Sequence, residues 1–300
     1  MRLRRTPEMR LPDGERSRAV LIGSSSFADP DLPDLPAVSN NLGDLASALT
    51  DPLRTSLPRK HCTLLHDPEG LEAVGDALDA ASKQAQDMLL VYYAGHGLLD
   101  RKNELHLSLP RSRRDRVRLS AVPYSHIREV MLRAQAANRI VILDCCFSGR
   151  ALGEAMAEVN TLLPGQIEIA GTCTLTSTSA TELALAPEGE RWTAFTGELI
   201  RTLQNGVDDD SKLLTLDSIY LHLDCAMNSR GLPRPDQCGS RTAGKLALAR
   251  NPVYSKEDTS TDASGRTRQA FPNNELLALN RLGAPTALNA IAAKQDIGNA

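Results

Sequence analysis

Cys146 and His96 are the side chains of this chain best equipped for covalent chemistry: a thiol becomes a nucleophile once an imidazole takes its proton. They lie fifty residues apart, and each closes an apolar run. The runs read Val-Tyr-Tyr-Ala-Gly-His-Gly over residues 91–97 and Val-Ile-Leu-Asp-Cys-Cys-Phe-Ser-Gly over residues 141–149. Gly95 and Gly97 flank the histidine, which lets the backbone come close to a ligand and turns the Gly97 N–H toward substrate. Ser148 and Gly149 follow Cys146 at once, and a helix starting there favours a thiolate over a thiol of ordinary pKa about 8.5. Side chains alternate along a strand, so only one of Cys145 and Cys146 can face His96. If that one is Cys146, Cys145 packs in the core.

The elements that must position this pair follow from hydrophobic periodicity. Residues 18–27 hold Ala-Val-Leu-Ile-Gly-Ser-Ser, a buried strand and its turn. After a proline-rich loop at 30–36, Val38, Leu42, Leu45, Ala46 and Leu49 make one face of a helix over 38–50. Strand 62–66, a helix carrying Leu71, Val74 and Leu78, and strand 88–94 come next. A small hairpin element at 105–109, a charged loop at 111–118, a helix at 122–136 and a strand at 139–143 follow. Further on, a strand at 166–172, a polar loop at 174–181, helices at 192–203 and 215–227 and a last strand at 245–249 are expected. Strands alternating with long helices predict an α/β fold, a mostly parallel sheet with helices on both faces. In such sheets ligands bind at the carboxyl ends of the strands, where both His96 and Cys146 stand.

Composition sets outer bounds. Of the 300 residues 24% are charged and 41% apolar, and the net charge of −3 gives no bulk reason to expect nucleic acid or membrane as a partner. The basic start Met1-Arg-Leu-Arg-Arg leads into Glu8, Asp13 and Glu15 rather than an apolar segment, and the expected compartment is the cytoplasm. The six cysteines lack metal or disulfide-framework spacing, and His61, His66, His106, His126 and His222 lack ligand spacing, so no cofactor is expected. Tyr92 and Tyr93 read as core and sheet residues, and the run Arg111-Ser-Arg-Arg-Asp-Arg-Val-Arg as a solvated loop. Gly23-Ser-Ser-Ser is no phosphate loop, which removes a nucleotide-binding reading.

Tyr93-Ala-Gly-His-Gly and Asp144-Cys-Cys-Phe-Ser-Gly resemble the histidine and cysteine motifs of caspase-like peptidases, the metacaspase and peptidase C14 family, and are similar to bacterial, especially actinobacterial, members. The resemblance covers residues 18–251, includes Trp192-Thr-Ala-Phe-Thr, and implies a caspase-like three-layer sandwich on a sheet of about six strands. It puts Cys146 on the nucleophile position and implies that His96 takes its proton. The thiolate would then attack a peptide carbonyl, with the N–H groups of Gly97 and Cys146 holding the oxyanion. It further implies carboxylates that bind Arg or Lys before the scissile bond, at Asp144 and Asp44, and Ser177 lining the cleft. Asp144 as a cap of the local turn and Asp44 on a solvated helix face stand as the plainer readings. A basic pocket for Asp has only Arg150 and Arg191 to draw on. Calcium activation, known in some metacaspases, has no signature here, and the short interval 150–165 implies a single-chain enzyme with no obligatory cleavage there. Action in a bacterial stress or conflict response is part of the same implication.

Residues 1–17 read as an N-terminal tail, 252–272 as a flexible linker and 273–300 as short helical segments that need a regulatory partner or a surface of the domain itself. The competing function is an idle caspase-like scaffold or signalling adaptor, although both reactive residues are present.

Overall fold

Seven-residue apolar runs such as Met-Leu-Leu-Val-Tyr-Tyr-Ala leave no face for water, so they become strands covered on both sides. The computed structural model describes residues 9–145, 167–177, 189–239 and 243–254. In chain order its first elements are β1 (Arg18–Gly23), α1 (Ala37–Leu49), β2 (Cys62–His66), α2 (Leu71–Gln84) and β3 (Met88–Ala94). Then come β4 (Gly97–Leu99), β5 (Leu105–Leu107), α3 (Val117–Ser120), β6 (Val122–Pro123), α4 (Tyr124–Arg133) and β7 (Asn138–Asp144). The last are β8 (Thr172–Thr176), α5 (Ala194–Asn205), β9 (Leu213–Thr215), α6 (Leu216–Ser229), β10 (Asp236–Gly239) and β11 (Ala247–Arg250).

The main sheet has the order β10-β8-β7-β3-β1-β2, parallel except for the antiparallel edge strand β10. Alternation sends Leu21, Leu90, Tyr92, Ile140 and Ile142 to one face, against Val38, Leu42 and Leu45 of α1 and Phe195 and Leu199 of α5. Val20, Ile22, Leu89, Val91, Val141 and Leu143 face the other way, onto Val74 and Leu78 of α2 and Ile127, Val130 and Met131 of α4. Each fully buried Leu, Ile or Val contributes about 1.5–3 kcal/mol relative to exposure, so the two layers dominate stability.

Three expectations move. The strand expected at 166–172 is Thr172–Thr176, so part of the expected polar loop at 174–181 is a fully buried strand. Ile167 and Ile169 are buried ahead of the strand, and Gly171 turns the chain at φ +71° immediately before it begins. The threonines of Thr-Cys-Thr-Leu-Thr are β-branched and fit the pleat despite their hydroxyls. The expected helix at 122–136 starts at Tyr124, because Val122 and Pro123 pair with Leu107 and His106. The charged loop at 111–118 instead holds a single 3₁₀ turn at Arg114–Arg116 and the start of α3. Strands β9 and β10 were not legible; Asp236-Gln-Cys-Gly has no apolar alternation and joins the sheet only as its exposed edge.

Residues 10–17 are pinned to the domain. Asp87 accepts from Arg10 Nη1 and Nη2 at 2.7 and 2.5 Å and from the Asp13 N–H at 2.6 Å, and the Arg10 carbonyl accepts from the Ala247 N–H. Residues 255–300, which carry the expected linker and helical tail, lie outside the described residues.

Candidate active site

Adjacent parallel strands end side by side where the two motifs begin. Ala94 of β3 is registered with Asp144 of β7, and the Gly95 N–H donates to the Asp144 carbonyl at 3.3 Å. His96 follows Ala94 by two residues, as Cys146 follows Asp144. Cys146 itself, with its N–H and Arg150, lies outside the described residues. Cys145 is buried beside Leu143 in the core on the α2 and α4 face, the packing role expected of it.

His96 is held at four points. Its N–H donates to Ser108 Oγ at 3.2 Å, and its carbonyl accepts from the Ser108 N–H at 2.9 Å and lies 3.0 Å from the Tyr93 hydroxyl. Its Nε2 lies 2.8 Å from the carbonyl oxygen of Pro33, and its ring sits 4.8 Å from that of Phe27, tilted by 51°. A carbonyl only accepts, so Nε2 carries a proton and the lone pair of the neutral ring is on Nδ1. Burial is the main influence on the imidazole and lowers its pKa; the Pro33 carbonyl opposes this and the charge of Arg114 adds to it. A neutral imidazole with a free-electron-pair nitrogen and a fixed tautomer is a general base. Gly97 opens β4 opposite Leu107.

Gly95 is required by this turn. Its φ is +155°, and a Cβ there would lie 2.4 Å from the Tyr93 hydroxyl oxygen. Gly95→Ala is expected to cost about 1–3 kcal/mol of folding stability, seen as an earlier denaturant midpoint. An unchanged midpoint would show that the tyrosine moves aside freely.

The Asp144 carboxylate is buried on the α1 and α5 face of the sheet, 4% exposed, and belongs to a polar layer. Its Oδ2 accepts from the hydroxyls of Thr193, at 2.5 Å, and Thr196. Thr196 Oγ1 lies 2.8 Å from the Tyr92 hydroxyl, and Asn41 of α1 donates to Thr193 Oγ1 at 2.7 Å while accepting from the Thr193 N–H. Burial raises the pKa of Asp144, opposed by hydrogen bonds from Thr193, Thr196 and Ser177. Ser177 is buried next to it, its N–H on the Leu143 carbonyl and its hydroxyl 3.4 Å from the Cys145 carbonyl. Asp44 is used differently from expectation: its Oδ2 accepts from Arg191 Nε at 2.8 Å and Trp192 Nε1 at 2.7 Å. The Arg191 hydrogen bond is the main cause of its lowered pKa. The carboxylate thus tethers the approach to α5, which places Thr193 on Asp144, and Arg191 is spent on that tether. Ser177 and Asp144 come together; Asp44 touches neither.

Sequence reasoning missed Pro33, Phe27 and the Asn41–Thr193–Thr196 layer. Asn41 left a trace, as a polar residue on the apolar stripe between Val38 and Leu42. A backbone carbonyl such as that of Pro33 leaves none.

A family model for the caspase domain matches residues 16–257. Among solved structures, caspase-1 from Spodoptera frugiperda is similar at a TM-score of 0.57 and 13% identity, over 83% of this chain and 96% of that one. A protein from Geobacter sulfurreducens is similar at a TM-score of 0.53 and 17% identity, over 79% of this chain and 98% of that one. No curated protein matches the chain in sequence.

Proposed function

Because the chain belongs to the caspase-domain family of peptidases, we propose that it is a cysteine endopeptidase working through Cys146 and His96 and cutting protein substrates after Arg or Lys. The observation that carries this reading is the Pro33 carbonyl on His96 Nε2, which leaves Nδ1 as the acceptor for a thiol proton. In the proposed cycle the Cys146 thiol gives its proton to Nδ1 as sulfur attacks the peptide carbonyl carbon. The oxyanion is held by the N–H groups of Gly97 and Cys146. Collapse breaks the C–N bond, the imidazolium protonates the departing amine, and a thioester remains. Water, deprotonated by His96, hydrolyses it and restores the thiol. Asp144, at the end of the nucleophile's strand, is the carboxylate we assign to the substrate's cation, with Ser177 beside it. The cycle uses no cofactor, and a bacterial stress or conflict response is the setting we infer for it.

The test is cleavage of fluorogenic peptides ending in Arg, Lys or Asp by wild type and Cys146→Ala, with and without calcium. Arg or Lys cleavage lost in the variant supports the reading. Cleavage after Asp keeps the enzyme and removes Asp144 from the pocket. Silence under every condition favours the scaffold.

The pH profile is a separate check. A histidine with a lowered pKa needs more acid to be protonated, so the base stays neutral below the ordinary value of 6.5. The acid limb of kcat/KM is expected below pH 6.5. Phe27→Ala, which exposes the ring, is expected to move that limb upward; a limb that does not respond would assign it to another group.

A further inference from the structure

The arginine run at 111–118 is fastened to the His96 side of the site. The Ala28 N–H donates to the Pro110 carbonyl at 2.8 Å, the Arg114 N–H to Asp29 Oδ2 at 2.8 Å, and Arg114 Nη1 to the Asp31 carbonyl at 3.4 Å. Val117 and Ala121 pack with Leu32 and Leu98 in a small core of their own, with Phe27 against it. The loop that gives His96 its ring neighbour and its carbonyl, the strand that leaves His96, and the arginine run therefore form one packed unit.

Its outward charge is lopsided. The run holds five arginines and one carboxylate, Asp115, which Arg113 and Arg116 share at 3.1 and 3.5 Å. Arg113, Arg116 and Arg118 are 62%, 69% and 61% exposed. Nearby Asp29 is buried and bound to the backbone N–H groups of Asp31 and Arg114, and buried Asp100, bound to those of Lys102 and Glu104, pairs with Arg118 at 3.4 Å, so Arg113, Arg114 and Arg116 are left with Asp115 as the one carboxylate ion-paired to the three among the described residues. Asp34 binds the Phe27 N–H. Leu119, on the same turn of chain, is 79% exposed. Like charges held this close repel one another, and an acidic ligand relieves that.

We propose that Arg113, Arg114 and Arg116 form a docking rim for an acidic segment of the substrate protein, lying beside the scissile bond on the His96 side. The proposal rests on the peptidase reading and adds a substrate class to it. A protein chain is favoured over nucleic acid because the run contains no aromatic residue on which bases could stack, while Leu119 offers an apolar contact.

The experiment compares two peptides with the same arginine at the cleavage site, one extended beyond it by alternating Asp and Glu, the other by Gly and Ser. In wild type the acidic peptide is expected to have a kcat/KM about tenfold higher at roughly 0.05 M salt, and the ratio to approach one at about 0.5 M. In the double variant Arg113→Gln, Arg116→Gln the ratio is expected to fall to about twofold or less. Because each enzyme supplies its own ratio, a general loss of activity cancels. Equal rates in wild type, or a ratio unchanged in the variant, overturn the rim. If neither peptide is cut, the peptidase reading fails separately, and fluorescence anisotropy of the acidic peptide on Cys146→Ala protein decides the rim. Salt-sensitive binding lost in the arginine variant supports it, and no binding overturns it. An oligonucleotide of equal charge that binds where the peptide does not overturns it in favour of nucleic acid.

Discussion

Cys146→Ala and His96→Ala are each expected to lower kcat/KM by at least about a thousandfold, and the double variant by little more than either alone. The first removes the atom that bonds to the acyl group. The second removes the base that makes that atom nucleophilic and the acid that releases the amine, worth about 10²–10⁴ by itself. Groups that act as one unit are not additive, since with no thiolate to form there is no proton for the imidazole to take. Both variants should unfold at nearly the wild-type temperature. For His96 the reason is structural: its backbone is held by Ser108 and Tyr93 independently of the ring. Multiplicative losses, or residual activity in Cys146→Ala, would mean that another residue is the nucleophile.

The second large effect is at Asp144, where stability and specificity separate by choice of substitution. Asp144→Ala leaves the buried hydroxyls of Thr193 and Thr196 without their acceptor, a cost of about 2–4 kcal/mol. Asp144→Asn keeps an oxygen for them and removes the charge. It is expected to retain the fold while losing about a hundredfold in kcat/KM on arginine peptides, against little change on a neutral one. Stability has its own pH signature. Burial raises the native pKa of this carboxyl, so the unfolded chain gives up the proton first, and the wild type loses stability as pH rises from 3.8 through the native value. The Asn variant lacks that loss, so its melting temperature should gain on wild type across the same window. Equal loss on charged and neutral peptides would return Asp144 to a purely structural role.

The strands that lead to the candidate site were legible in the chain. Val-Tyr-Tyr-Ala-Gly-His-Gly encodes strand, end and turn in residue type alone and Val-Ile-Leu-Asp encodes strand and end, and β2 and β3 start and stop where periodicity puts them. What was not legible depends on partners distant in sequence. Asp44 looks like any acid on a helix until Arg191, well over a hundred residues later, reaches it. The strand at Thr172–Thr176 hides because threonine hydroxyls read as loop while its burial is supplied by flanking strands. The Pro33 carbonyl hides because every residue has one.

Tyr92 and Tyr93 are consecutive on β3, yet their hydroxyls point to opposite sides of the sheet, one to Thr196 and the Asp144 layer, the other to the His96 turn. If Asp144 receives the substrate's cation as proposed, the preference for the residue before the scissile bond and the placement of His96 rest on hydroxyls from opposite faces of one sheet. Substitutions accumulating around α5 would then retune that preference while the histidine turn stays as it was, and the reverse would hold around Ser108. A lineage, or an engineer, could then explore new residues before the scissile bond through one layer without disturbing the other.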